Sequence, residues 1–162
     1  MENLLEAWTE FLRGKRSKAD VQSFTLHLMD NIWSLHSELN DKTYRHGPYE
    51  AFNVSDPKPR SIHKAPLRDR LLHHALYRTL YPFFERTFIA DSFSCREGKG
   101  THAAINRFQS FFYKVSKNIR KTCWVLQCDI RKFFASIDHN VLMEILRMYI
   151  PDRNIIWLLN QV

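Results

Sequence analysis

Apolar residues recur at steps of three and four along most of this chain, which restricts it to a largely helical fold. The spacing predicts helices near residues 3–13, 20–39, 67–80, 102–120, 139–149 and 153–162. It fails at 44–66 and 123–130, where apolar and polar residues alternate as they do in strands. A Pro-broken turn at 55–59 makes the first of these segments a predicted β-hairpin with a basic tip. We therefore predict an α+β fold, mostly helical, with one hairpin and one further strand.

The predicted strand at 123–130 has an acidic residue near its end. Its alternation places four side chains on one, core-facing side: Trp124, Leu126, Cys128 and Ile130. Asp129 lies on the other side, and a carboxylate at the end of a buried strand is costly without a partner such as a metal ion. The backbone carbonyl of Ile130 adds a second oxygen of the kind that Mg²⁺ prefers. The alternative is that Asp129 caps the following turn or pairs with Arg131 or Lys132.

The formal net charge of +7 is concentrated in two segments of the chain. Residues 56–70 and 94–121 together carry +9, so the rest of the 162 residues are slightly acidic. Clustered cations suit a polyanion such as a nucleic acid, because neutralised phosphates release their counterions. The alternative is that these side chains form solvated helix faces that keep the protein soluble.

Composition excludes several other classes of protein. The aromatic content of 14% is too high for a disordered chain, and no apolar run is long enough to span a bilayer. The N-terminus lacks the basic-then-apolar order of a signal peptide, and the three cysteines form no CxxC pair. We expect a reduced, cytoplasmic protein without a membrane partner.

Three segments, in order, resemble motifs of one enzyme family. The segment LQCDIRKFFASIDH (126–139) resembles the first catalytic motif of bacterial reverse transcriptases, the relatives of group II intron and diversity-generating retroelement enzymes. PKPRSIHKAPLRDRLLHHAL (57–76) is similar to their fingers motif, and FIADSFSCREGKGTHAAI (88–105) to their second motif. The resemblance covers about residues 44–145, and its strength lies in the order and spacing of the three motifs.

The resemblance implies roles for individual residues in binding metal and nucleotide. Asp129 would be the first catalytic aspartate and would bridge two Mg²⁺ ions, with the Ile130 carbonyl as a further metal ligand. Phe134 would disfavour a ribose 2′-OH in the nucleotide site. Arg60 and Lys58, on the predicted hairpin, would contact the triphosphate of the incoming dNTP. These roles agree with the chemistry of nucleotidyl transfer, in which cations stabilise the attacking and leaving oxygens.

For the template strand, the resemblance implies contacts from Arg96 and the glycine turn Gly98-Lys99-Gly100. A glycine backbone can approach phosphates closely. The implied fold is the fingers and partial palm of a right-hand polymerase. Residues 1–43 would then form an N-terminal helical extension, 44–122 the fingers and 123–162 the start of the palm.

The implied activity is that of an RNA-directed DNA polymerase, a nucleotidyltransferase that adds dNTPs to a primer on an RNA template with Mg²⁺. Family members carry a further aspartate in a downstream Tyr-x-Asp-Asp motif, which this sequence lacks. We therefore expect the chain alone to be inactive, and to meet the remaining palm and thumb or a second chain. The alternative is a non-catalytic RNA-binding module, or a degenerate remnant of a reverse transcriptase.

Overall fold

Helices dominate the structure, a computed structural model that describes all residues from Met1 to Val162. In chain order the elements are α1 (Glu2–Phe11), α2 (Ala19–Leu26), α3 (Leu28–Asn40), β1 (Glu50–Ser55), β2 (Pro59–Lys64), α4 (Leu67–Glu85), α5 (Thr101–Val115), α6 (Phe133–Ser136), α7 (His139–Tyr149) and α8 (Arg153–Leu159). The two strands form one antiparallel sheet. No helix combines the length and the apolar character needed to cross a lipid bilayer.

The chain divides into two units, and α4 begins in the first and ends in the second. The first unit comprises residues 1–80 and 139–162, and the second comprises residues 81–138. The three-part division into extension, fingers and palm stays a prediction.

The first unit has a continuous apolar core, because α1, α3 and α4 each present an apolar stripe. Trp8 lies at its centre, with ring centroids 6.1 Å from Phe11 and 5.2 Å from Phe24. Trp157 and Leu158 of α8 pack against the same core. Its buried members are Leu4, Ala7, Trp8, Phe11, Val21, Ile32, Leu35, Tyr44, Leu67, Leu71, Leu72 and Ala75.

The single helix predicted over 20–39 is two helices, α2 and α3. The break is at His27, whose φ of −121° and ψ of 35° lie outside the helical region. The side-chain amide of Asn31 donates a hydrogen bond of 3.1 Å to the carbonyl of Phe24, which satisfies one carbonyl near the break. The apolar stripe survives the break, since Val21 before it and Ile32 after it are both buried.

In the second unit, the helix predicted over 102–120 ends early, at Val115. Ser116 follows it, buried, and its hydroxyl accepts a 3.0 Å hydrogen bond from the N–H of Ile119. Lys117, Asn118 and Ile119 all have positive φ angles, between 51° and 68°, so the chain cannot continue the helix. A left-handed backbone is costly for a β-branched residue such as Ile119.

In this second unit α5 buries none of its side chains, so its apolar stripe does not form a core. Phe108, Phe111 and Val115 instead line an open apolar groove of about 250 Å³ together with residues 123–126.

The strand predicted over 123–130 is also absent, and these residues have no regular secondary structure. Trp124 is 93% exposed, and Leu126, Cys128 and Ile130 are exposed as well, so none is in a core. The physical reason is pairing: a strand needs a hydrogen-bonded neighbour, and β1 and β2 pair only with each other.

Replacing Ile119 by glycine tests the strain at the end of α5. Glycine adopts positive φ without steric cost, so Ile119→Gly should raise the free energy of unfolding by about 1 kcal/mol. Urea denaturation followed by circular dichroism measures this change. The control is Phe112→Gly inside α5, which should lower stability, and a loss of stability in Ile119→Gly would contradict the prediction.

Candidate nucleic-acid interface

The predicted hairpin is confirmed, and its register gathers apolar residues and a cation on one face. Phe52 pairs with Ile62, and Val54 pairs with Arg60, so these four side chains share a face of the ribbon. Phe52 is 42% exposed. The side chains of Arg60 and of Lys58, in the connecting turn, are also exposed and take part in no ion pair within the chain.

A buried carboxylate lies beneath the start of this hairpin. The side chain of Asp69, on α4, is 0% exposed. Its Oδ1 accepts a 2.9 Å hydrogen bond from the Tyr44 hydroxyl, and its Oδ2 accepts one of 2.9 Å from the Gly47 N–H. Burial and the hydrogen bond to Asp69 raise the pKa of Tyr44 well above its usual range.

An arginine ties this carboxylate to its surroundings. The Nε of Arg68 lies 3.3 Å from Asp69 Oδ1, and its Nη1 lies 2.8 Å from both carboxylate oxygens of Glu38. The Nη2 of Arg68 donates to the carbonyl of Arg45. The buried charge of Asp69 is therefore compensated, as a buried carboxylate requires.

The apolar spacing of Leu71, Leu72 and Ala75 predicts that Asp69 lies largely on another face of the helix, and this prediction is wrong because the structure buries Asp69. A signal was available, because Asp69 precedes the buried Leu72 by three residues and follows the buried Ala65 by four. That spacing puts all three on one side of the chain. The second signal was Gly47, because a glycine allows another part of the chain to come close to its backbone.

Three stacked rings reinforce the same junction. His46 stacks on Tyr49, with ring centroids 4.8 Å apart, and on His73 of α4, with ring centroids 5.2 Å apart. The Nε2 atoms of His46 and His73 are buried without a hydrogen-bond partner. Burial lowers the pKa of His73 below 6.5, and nearby His46 lowers it further, while Asp69 opposes both.

A partly exposed ion pair lies at the same, open end of the hairpin. Lys64, the last residue of β2, lies 2.8 Å from Asp20, which also pairs with Arg70 of α4. The Lys64 hydrogen bond lowers the pKa of Asp20. About a third of the Asp20 side chain is exposed, so solvent screens this pair.

In the second unit, the structure places Arg96 inside the loop that it was expected to present to a template. Its side chain is 6% exposed and pairs with Glu85 at 2.6 Å. It also donates to the carbonyls of Ile89 and Ser92. The Glu85 hydrogen bond raises the pKa of Arg96, and the same bond lowers the pKa of Glu85.

The neighbouring glycine turn is positioned in a similar way. Lys99 donates a 2.6 Å hydrogen bond to the carbonyl of Ala90, so its ammonium is also engaged within the loop. Gly98 has a φ of +68°, which favours glycine, and no atom lies within 4 Å of a Cβ added there or at Gly100. The glycine backbone of this turn is exposed to solvent, whereas the side chains of Arg96 and Lys99 are bound within the loop.

Asp129 lies in the segment without regular structure, and its side chain is exposed. It forms no ion pair with Arg131 or Lys132, so the pairing expected as an alternative is not present. Phe134, in α6, is 84% exposed.

The fit of a metal ion at Asp129 is poor in this chain. No three side chains of the His, Cys, Asp and Glu types come together as a metal site. One carboxylate and the Ile130 carbonyl are fewer oxygen ligands than a bound Mg²⁺ ion needs. The residues present therefore do not form the predicted Mg²⁺ site by themselves.

Comparisons with known proteins relate the chain to intron-associated proteins. No protein-family model matches it. Nuclear intron maturase 1, mitochondrial, of Arabidopsis thaliana is 28% identical over 92 residues, 57% of this chain and 12% of that protein. Protein YkfC of Escherichia coli is 27% identical over 105 residues, 65% of this chain and 27% of the relative. The putative COX1/OXI3 intron 1 protein of Saccharomyces cerevisiae is 23% identical over 124 residues, 75% of this chain and 14% of the relative.

The chain thus spans about an eighth to a quarter of the length of these relatives. Two of the three are named for introns, and one of those is a maturase. At this identity and coverage, the comparisons support a relationship to intron maturase proteins and leave the particular type open.

The stacked histidines predict a stability that rises with pH below neutrality. Because the pKa of His73 is below 6.5 in the folded state, the unfolded chain takes up a proton first as the pH falls. Neutral His73 contributes its full stability to the folded state above the pKa that this histidine has in the unfolded chain. The contribution is lost as the pH falls toward the pKa of His73 in the folded state. His73→Phe keeps a flat ring against His46 and should flatten the dependence of unfolding free energy on pH between about 5 and 7.

Urea denaturation at a series of pH values measures that dependence. His27→Gln, at an exposed position, is the matched control for the loss of an imidazole. A slope in His73→Phe equal to that of the unaltered chain would contradict the prediction.

Proposed function

We propose that this chain binds RNA through its basic hairpin, as the fingers and the start of the palm of a protein related to reverse transcriptases. The observation that carries the proposal is that the hairpin places free cations beside an exposed aromatic ring, that of Phe52. Lys58 and Arg60 are exposed and unpaired, whereas Arg96 and Lys99 are engaged in their own loop. Only unengaged cations can neutralise phosphates without first breaking a contact within the protein.

The face of the hairpin suits a single strand with unstacked bases. Phe52 and Val54 are exposed beside Arg60 on that face. A base can stack on an aromatic ring while its phosphate meets a neighbouring cation, and such contacts tolerate different sequences. The similarity to a protein named as an intron maturase supports RNA as the partner.

RNA-directed DNA polymerase activity is the second candidate, for a whole protein that contains this segment. The observation in its favour is that Asp129 and Phe134 are both exposed and open to a ligand. In such a protein we propose that primer, template and dNTP meet at Asp129. The residues of this chain do not complete a Mg²⁺ site. The proposed RNA binding uses side-chain cations and an aromatic ring and does not need a metal ion.

The RNA-binding proposal is tested by removing the two hairpin cations. The Lys58→Ala/Arg60→Ala variant should bind an unstructured oligouridylate more weakly than the unaltered chain. The slope of log K against log salt concentration should decrease by about 1.4, because two phosphate contacts on a single strand are lost. Fluorescence anisotropy across a salt series measures both quantities.

The matched control is Lys18→Ala/Lys42→Ala, which removes the same charge from exposed positions outside the hairpin. It should keep a slope close to that of the unaltered chain. Equal losses in the two variants would show that binding depends on net charge alone and would contradict the proposal. For the second candidate, Asp129→Asn in the whole protein should abolish primer extension and retain RNA binding.

A further inference from the structure

We propose that Asp69 is a positioning residue for the RNA-binding hairpin: it fixes the start of β1 to α4 and so holds Lys58 and Arg60 in place. This inference rests on the RNA-binding function proposed above. The Asp69 side chain is wholly buried, so it offers no surface to RNA. We therefore expect its effect on binding to be indirect, through the hairpin that it positions.

Both oxygens of this carboxylate are used by the segment that leads into β1. Oδ1 accepts from Tyr44 and Oδ2 from Gly47, residues three apart, so the carboxylate fixes two points along one short stretch of chain. An amide has only one acceptor oxygen. In Asp69→Asn, the NH₂ group would face either the N–H of Gly47 or the Nε–H of Arg68, and neither arrangement is satisfied.

The approach of the chain to Asp69 is close enough to exclude any side chain at position 47. A Cβ added to Gly47 would lie 2.8 Å from Cγ of Pro66 and 3.0 Å from Oδ2 of Asp69. The Gly47 backbone is therefore held between the residue before α4 and a residue in its first turn. Contacts with both Pro66 and Asp69 therefore fix the position of the segment that leads into β1.

The hairpin itself has little other support. Every residue of β1 is exposed, and β2 has only partly buried residues at Ile62 and Lys64. Its orientation therefore depends on its open end, where Asp69 holds the segment before β1 and Asp20 pairs with Lys64, the last residue of β2. The second contact is partly exposed, so solvent screens it. Asp69 is the stronger of the two attachments.

The test compares Asp69→Asn with the hairpin variant and with both together. Asp69→Asn should weaken oligouridylate binding and lower the salt slope in the same direction as Lys58→Ala/Arg60→Ala. In the background that lacks Lys58 and Arg60, Asp69→Asn should have no further effect on binding, because the contacts that it positions are already gone. A merely structural role would instead give losses that add.

Asp30→Asn is the matched control, since it makes the same change in charge at an exposed position of α3. Tyr44→Phe is a second variant, which removes one hydrogen bond to Asp69 and keeps the ring in the core. Amide hydrogen exchange should show faster exchange in β1 and β2 of both Asp69→Asn and Tyr44→Phe, with α1 and α3 unchanged.

Three results would overturn the inference. One is binding by Asp69→Asn equal to that of Asp30→Asn, while Lys58→Ala/Arg60→Ala binds weakly; the proposed function would then stand. Another is amide hydrogen exchange that rises as much throughout the core as in the hairpin, in both Asp69→Asn and Tyr44→Phe. The third is unaltered binding in Lys58→Ala/Arg60→Ala, which would remove the proposed function as well.

Discussion

The hydrogen bonds that Asp69 accepts from Tyr44 and Gly47 are the contacts on which the position of the hairpin depends. A buried carboxylate is stable only where donors and a cation surround it, and here Arg68 supplies the cation and is itself bound by Glu38. His46, which stacks on His73, has its Nδ1 4.0 Å from the same carboxylate. A two-stranded ribbon is marginal when isolated, so this junction is what gives an exposed strand pair a fixed place.

The basic side chains of this protein differ in whether their charged groups are free to bind a polyanion. Arg96 and Arg107 are each paired with a carboxylate, Glu85 and Asp91 respectively. Their charge contributes to the local excess that the sequence shows, but a carboxylate already neutralises each of them. Lys58 and Arg60 have no such partners. A basic segment therefore identifies a surface that attracts a polyanion, and the pairing of individual side chains decides which of them can contact it.

Local patterns predicted those parts of the fold that depend on local sequence. Helices α1, α7 and α8 and the hairpin lie where periodicity and turn residues placed them. The errors have a common physical origin in contacts between distant residues. The segment 123–130 has a strand pattern but no neighbour to pair with, and the aromatic stripe of α5 lines an open groove with residues 123–126 instead of entering a core. For the candidate site, the sequence predicted the free cations of the hairpin and missed the buried carboxylate beneath it.

An NMR titration of the isotopically labelled chain with oligouridylate tests the central claim most directly, because it maps the RNA contact without altering any residue. The account predicts that the largest amide shift changes lie in β1, β2 and the turn that carries Lys58, and that they diminish as the salt concentration rises. Changes absent from the hairpin and concentrated elsewhere would contradict it. So would a complete absence of changes at low salt.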